Sequence, residues 1–457
     1  MPQNYSKLLE KQRDFFKTGK TKDVEFRIQA LRKLKKVIIS RNDEINKALK
    51  KDLNKSEFET FTSEIAGPLN EINFALKKLH SWTKPLKVKT PLILFRGKSC
   101  VYYEPFGTVL IITPWNYPFN LVMSILTGAV AAGNCCVVKP SELSPHTSGL
   151  VSEIIMEVFD EEHCASVNGG VSETTELLKE KFDFIHYTGS TNVGKVIARA
   201  AAEYLTPITL ELGGKSPCIV DKSADLEASA RRILWGKFLN AGQTCVAPDY
   251  LLIHKDIKKQ FLDIMKKELL KFYGENPEES NDYVRIINEK HFDRIASLLS
   301  CGNIITGGRT NREKLYIEPA IIDGITWDDP VMRDEIFGPV FPVLEYENID
   351  EIVEMITSRE KPLALYLFSK NKSIWERIIK EISFGGGCIN DVIFHQVSYY
   401  LPFGGVGNSG MGAYHGKWGF ETFSHKKGIL NKSLWPEIKL FYPPYNEKIK
   451  FVKKFLK

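Results

Sequence analysis

Between residues 108 and 221, short apolar runs recur with stretches of helical spacing between them. Strand candidates fall at 108–112, 135–138, 164–167, 183–187, 208–210 and 218–221. Strands separated by helices cannot pair as hairpins, so the pattern excludes an all-β or all-α fold. It predicts a parallel, doubly wound α/β sheet whose ligand lies at the carboxyl ends of the strands. The run 121–138 has no charged side chain over eighteen positions, enough to be mistaken for a membrane span. Its Gly133-Asn134 pair instead divides it into a buried helix to about Ala132, a tight turn and a strand.

After Gly213-Gly214 the alternation starts again, with helix signals at 226–240 and 255–273 and strands near 250–254, 340–345 and 363–369. A second α/β domain is therefore expected. Length agrees, because 457 residues exceed what one core normally holds. Residues 1–53 carry Phe26, Ile28, Leu31, Leu34 and Ile38 among charges, which suits amphipathic helices rather than a cleaved leader. Residues 87–103, with Val88, Leu92, Leu94 and Val101 among charges, read as an edge ribbon.

Charge narrows the function classes. The 62 Lys and Arg and 56 Asp and Glu are spread along the chain, and no concentrated basic block outside the tail suggests nucleic acid. Eight cysteines stand without a Cys-x-x-Cys pair, and nine histidines without an i, i+4 pair beside a carboxylate. The chain reads as reduced and cytoplasmic, with no metal expected.

Chemistry concentrates in two stretches. Cys245 ends Gly242-Gln243-Thr244-Cys245, among small and polar neighbours, whereas Cys135, Cys136 and Cys218 sit in apolar strands as packing groups. Glu211 opens Glu211-Leu212-Gly213-Gly214-Lys215 between two leucines. A thiol that attacks carbon needs access, oxyanion donors and a base. A carboxyl between leucines has its ionised form disfavoured, which suits a water-activating base or a buried structural acid. A third motif, Tyr187-Thr188-Gly189-Ser190-Thr191-Asn192-Val193-Gly194, ends a strand and begins a helix. Glycine there lets the backbone approach a phosphate, and the free amides of the helix start bind its charge. The spacing is not G-x-G-x-x-G, and a purely structural turn stays open on spacing alone.

Glu211-Leu212-Gly213-Gly214-Lys215 and Gly242-Gln243-Thr244-Cys245 resemble the signature motifs of the aldehyde dehydrogenase superfamily, with further matching segments from about Tyr103 to Tyr414. The Val246-Ala247-Pro248-Asp249-Tyr250 continuation, the short amino terminus and Lys139-Pro140-Ser141-Glu142-Leu143-Ser144 look like its class 3 branch, which includes fatty and aromatic aldehyde enzymes. The resemblance implies NAD(P)-dependent oxidation of aldehydes to carboxylic acids through a Cys245 thiohemiacetal and thioester. Asn116, in Thr113-Pro114-Trp115-Asn116-Tyr117-Pro118, would join the Cys245 amide in stabilising the oxyanion, and Glu211 would activate water.

By the same resemblance the cofactor, NAD first with NADP also accepted, falls to Thr113, Trp115, Lys139, Glu142, Gly189, Ser190, Gly194, Leu212, Gly213, Glu335 and Phe337. Lys139 and Glu142 would hold the adenosine ribose, with Glu142 repelling a 2'-phosphate. Glu335 would bond the nicotinamide ribose and Phe337 support the ring, although a surface acid and a core aromatic read equally well. Tyr117, Trp235, Leu239, His395 and Phe403 would line the aldehyde side, favouring medium-chain aliphatic or aromatic substrates; each also suits a core. Loop 391–400 is where this chain should depart from its relatives, and the glycine run 401–412 suits a close-packed turn.

The expected organisation is a Rossmann-like NAD(P)-binding domain of 1–84 and 105–210, a catalytic domain of 211–400, and an oligomerisation arm and tail of 85–104 and 401–457. A homodimer acting on a small-molecule aldehyde is expected. The tail 446–457 puts Ile449, Val452, Phe455 and Leu456 on one side, with lysines on others. It suits a solvated or subunit-contact end before a peripheral membrane contact. Two other chemistries stay open, a cofactor-independent thiol esterase and a coenzyme A-acylating dehydrogenase; retention of Glu211 argues against the second.

Overall fold

The computed structural model describes residues 5–437 and 439–455. They fall into two units, a large one of residues up to Trp82 with Glu104–His425, and a small one of Thr83–Tyr103 with the chain from Lys426 onward.

The large unit holds two sheets. The first contains β1 (Thr108–Ile112), β2 (Cys135–Lys139), β3 (Cys164–Ser166), β4 (Phe184–Thr188) and β5 (Ile208–Glu211). They lie in the order β3-β2-β1-β4-β5, all parallel. Every residue of β1, β2 and β4 is buried, which is why these strands read as continuous apolar runs rather than alternating ones. The chain runs outward to β2 and β3 on one side of β1 and to β4 and β5 on the other. The order therefore reverses between β1 and β4, where an open parallel sheet leaves a crevice.

The second sheet contains β6 (Pro217–Val220), β7 (Tyr250–His254), β8 (Asn303–Thr306), β9 (Ala320–Asp323), β10 (Val340–Tyr346), β11 (Ala364–Phe368) and β12 (Gly386–Ile389). Its order is β8-β9-β10-β7-β6-β11-β12, parallel except for β8 against β9. The run expected at 218–221 thus joins the second sheet, not the first. At Gly214 the backbone passes close to Pro362 and Leu363, where an added Cβ would lie 3.3 Å from Leu363 N. Residues 401–425, grouped with the tail on sequence, lie in the large unit. There β13 (Gly410–Met411) pairs antiparallel with β5, Gly410 opposite Glu211.

The charge-free run forms α1 (Asn120–Ala132), ended at Gly133 and followed directly by β2. Two further helices frame the site: α2 (Thr191–Glu203) after β4, and α3 (Leu226–Phe238) after β6. At the amino terminus, helices Ser6–Lys17, Val24–Ser40 and Asn42–Leu53 bury Ile28, Leu31, Leu34 and Ile38, and leave Phe26 half-buried. In the small unit, strands Leu86–Val88, Gly97–Pro105 and Ser424–Lys432 form one sheet, and Lys448–Phe455 is helical. Leu456 and Lys457 of the amphipathic tail lie outside the described residues. Among the described residues no helix is long and apolar enough to cross a membrane.

Candidate active site

A cleft of ≈ 1090 Å³ opens at the carboxyl ends of the first sheet, where the strand order reverses. Of the residues singled out on sequence, Trp115, Asn116, Gly189, Ser190, Glu211, Leu212, Gly213, Cys245, Glu335 and Phe337 line it together. Segments distant in sequence meet here because β1, β4 and β5 end side by side: the Gly189 amide donates to the Glu211 carbonyl at 3.0 Å.

Ser190 caps α2, its hydroxyl accepting from the Val193 amide, so the helix begins at the cleft with its free amides available for an anion. A Cβ at Gly213 would meet Glu335 Oε2 at 1.9 Å, so only glycine permits this approach. Trp115 meets Phe337 edge to face at 5.4 Å. Phe337 itself is held at φ 48, a conformation costly for a residue with a Cβ. Thr113, Lys139, Glu142 and Gly194 sit outside the cleft lining. The Thr113 hydroxyl is buried without a partner, Gly194 packs on Leu212, and buried Lys139 pairs with Glu142 at 3.0 Å at the end of β2. Amides at a helix start, a glycine-lined wall, an unpaired hydroxyl and a Lys–Glu pair beyond the next strand fit a dinucleotide.

Cys245 follows an unusual turn. Asn240, Ala241 and Gly242 hold φ of 52, 50 and 72 in succession. Left-handed backbone costs roughly 1–2 kcal/mol for each residue with a Cβ, so neighbouring contacts must enforce it. Asn240 Nδ2 donates to the Asn116 carbonyl at 2.9 Å and to the Gln243 carbonyl at 3.0 Å. Gln243 Nε2 donates to the carbonyls of Asn240 and Arg285, both at 3.1 Å, while its Oε1 accepts from Ile287 N. Thr244 Oγ1 meets the Tyr117 hydroxyl at 2.6 Å. The result is a half-buried thiol facing the cleft on a fixed loop. Asn116 Nδ2 donates one of its hydrogens to the Gln243 carbonyl at 3.1 Å, which ties the amide to the same loop.

Electrostatics sets the resting protonation. Glu211 is buried and neither carboxyl oxygen has a partner, so desolvation holds its pKa well above the usual range. Burial pushes the Cys245 thiol up as well, with further contributions from Glu335 and Glu211. Glu335 is raised chiefly by burial, then by Asp249, against Lys215 and Arg294. Burial therefore favours the neutral form of both candidate reactive groups. Lys215 is committed elsewhere, to Asp249 and to the carbonyls of Val331 and Asp334.

The aldehyde-side candidates do not line this cleft. Tyr117 is joined to Thr244, the residue before Cys245, and half-buried Leu239 follows α3 just before the left-handed turn. Trp235 stacks on Phe394 at 5.0 Å, and His395 and Phe403 lie 5.9 Å apart. Two tyrosines missed on sequence connect the groups: Tyr366 donates to the Val246 carbonyl and lies 5.9 Å from His395, and Tyr414 packs on Phe403. Burial holds the Tyr414 hydroxyl well above its ordinary value, with Glu211 and Cys245 adding to the shift. Neither tyrosine belongs to a local motif that could have revealed it.

Residues 2–429 match the model of the aldehyde dehydrogenase family. The chain is 48% identical to the 4,4'-diaponeurosporen-aldehyde dehydrogenase of Staphylococcus aureus over 97% of both proteins. It is also 48% identical to the dimeric NADP-preferring aldehyde dehydrogenase of Mus musculus, over 96% of this chain and 98% of that one. Among solved structures, the substrate-bound state of Staphylococcus aureus AldH superposes with a TM-score of 0.97 at 47% identity, covering 99% of each chain.

Proposed function

The chain belongs to the aldehyde dehydrogenase family, and on that premise we propose that it oxidises aldehydes to carboxylic acids with NAD or NADP, using Cys245 as nucleophile. The observation that carries the reading is the single cleft lined by Cys245, Asn116, Glu211 and Glu335 together with Gly189, Ser190 and Gly213. The Cys245 thiol gives up its proton to water, and the sulfur adds as thiolate to the carbonyl carbon. The second hydrogen on Asn116 Nδ2 and the Cys245 amide stabilise the alkoxide that forms. A nicotinamide cofactor held by Gly189, Ser190, Gly213 and Glu335 would supply a hydride acceptor, and the alkoxide on Cys245 collapses to a thioester as hydride leaves. Glu211, once ionised, takes a proton from water, whose oxygen attacks the thioester carbon; the acid leaves and the same proton passes to the departing Cys245 sulfur. A carboxyl without partners in a dry pocket is a stronger base, once ionised, than an exposed one, which fits this late role.

The aromatic groups around His395 and Phe403 support medium-chain aliphatic or aromatic aldehydes. Glu142 beside Lys139 supports NAD over NADP, although the mouse relative prefers NADP. A homodimer in the cytoplasm is the assembly we infer, with the tail helix a subunit contact or solvated end. Following reduced cofactor at 340 nm over an aldehyde panel, with and without coenzyme A, tests the activity. Oxidation that persists in Cys245→Ala, or that requires coenzyme A, contradicts the proposal.

A further inference from the structure

The turn Phe61–Ile65 is π-helical, inserted between the helices Glu57–Thr60 and Ala66–Trp82. Such wide turns cost helical hydrogen-bond geometry and are concentrated at functional sites. This one carries one buried carboxylate, Glu64, and follows the short helix that carries a second, Glu59, beside the buried Lys55; none of the three lines the cleft.

Lys55 and Glu64 form an ion pair with both side chains wholly excluded from solvent. Glu64 Oε2 also accepts from the amides of Phe119 and Asn120, at 3.2 and 2.9 Å, at the start of α1. Lys55 Nζ donates to the Asn116 carbonyl at 3.1 Å and lies 4.2 Å from the centre of the Tyr117 ring. Glu59, 8% exposed, accepts from the Asn240 amide at 3.1 Å, and Asn240 Nδ2 returns to the same Asn116 carbonyl. One short segment therefore grips the Asn116 peptide from one side and the turn preceding Cys245 from the other.

A buried ion pair is weak evidence for stability, since its desolvation offsets most of its attraction. Its geometry explains it better: a charged donor and a neutral one converge on one carbonyl oxygen, fixing the peptide whose side chain faces the oxyanion. The Glu59 carboxyl anchors the Asn240 amide at the point where the backbone turns left-handed.

We propose that Lys55, Glu59 and Glu64 are positioning residues that lock the Asn116 amide and the Cys245 loop into one rigid oxyanion site, without touching substrate or cofactor. The inference rests on the roles given above to Cys245 and Asn116. Removing the bridge should loosen the site where charge develops, slowing hydride transfer more than it weakens cofactor binding.

The test uses steady-state oxidation of hexanal and 1-deuterohexanal with NAD. In Glu59→Leu, kcat should fall roughly 10- to 100-fold, as for misplacements of about 1 Å outside the chemistry. The deuterium isotope effect on kcat should rise above the wild-type value, while the KM for NAD stays close to it. Glu59→Gln, which keeps an oxygen acceptor for the Asn240 amide, should restore most of the rate. Asn240→Gly retains the left-handed backbone but removes the link to Asn116, and reproduces the slow, isotope-sensitive behaviour even if Glu59→Leu does not fold. Kinetics in Glu59→Leu and Asn240→Gly indistinguishable from wild type, or a loss in Glu59→Gln equal to that in Glu59→Leu, overturns the bridge. A wild-type enzyme that oxidises no aldehyde counts instead against Cys245 and Asn116.

Discussion

Gly242→Ala is the smallest change that should disturb the reactive loop without removing any functional group. Gly242 has φ +72, and a Cβ there would lie 2.4 Å from Gly338 O, about 0.6 Å inside the 3.0 Å that such atoms keep. The neighbour is backbone, so no rotamer change relieves the clash. The left-handed conformation costs an alanine about 1–2 kcal/mol, and overpacking adds about 1–3 kcal/mol, giving a destabilisation of roughly 2–5 kcal/mol. The backbone will yield in part, and because Gln243 is anchored to Asn240, Arg285 and Ile287, the displacement passes along the chain toward Cys245. A shift approaching 1 Å should lower kcat/KM by up to roughly 10²-fold. Urea unfolding measures the first quantity, and NAD-dependent hexanal oxidation with iodoacetamide modification of Cys245 measures the second. A variant with wild-type stability and wild-type turnover would refute the claim that this turn is over-determined by its neighbours.

Three other changes probe separate parts of the site. Asn116→Ala should reduce kcat on the order of 10²–10³-fold with little change in KM for aldehyde, the behaviour of a group acting in the transition state; a loss confined to KM contradicts that role. Glu142→Ala should improve kcat/KM for NADP relative to NAD by about five- to tenfold, a modest effect because Glu142 is 42% exposed beside Lys139; an unchanged ratio removes Glu142 from cofactor choice. Burial raises Glu59 from 4.5 to about 7, so the folded protein keeps a proton that the unfolded chain releases. Its contribution to stability is full below about pH 4.5 and is lost as pH rises to 7, and Glu59→Gln should therefore gain about 2 kcal/mol over wild type between pH 5 and 8 in urea unfolding. A gain independent of pH would contradict the assignment.

The parts of this fold that announce themselves in sequence are those governed by local pattern. β1 and β7 run at 108–112 and 250–254 as the apolar runs predict, because strands buried on both faces need no alternation. By contrast β12 contains Gly386 and Gly387, and β13 is two residues long at a sheet edge, so neither carries a strand signal. The run at 217–220 looks like a continuation of the first sheet, and only its pairing with β7 and β11, both distant in sequence, assigns it to the second. Cys245 and Glu211 stand out because their neighbours are wrong for a core thiol and a surface acid. Lys55 and Glu64 do not: their charges suit a solvated helix, and the partner that explains Lys55 lies 61 positions away, at Asn116. Tyr366 and Tyr414 likewise read as core until folding brings them to the residues around Cys245.

The central claim is that a thioester forms on Cys245 and that Glu211 is needed to release it. Intact-protein and peptide mass spectrometry of Glu211→Gln, quenched in acid after mixing with NAD and hexanal, tests this directly. The account predicts an adduct equal to the aldehyde less two hydrogens, confined to the peptide bearing Cys245 and absent without NAD. No adduct while the variant turns over at the wild-type rate, or an acyl group on another cysteine, would contradict it.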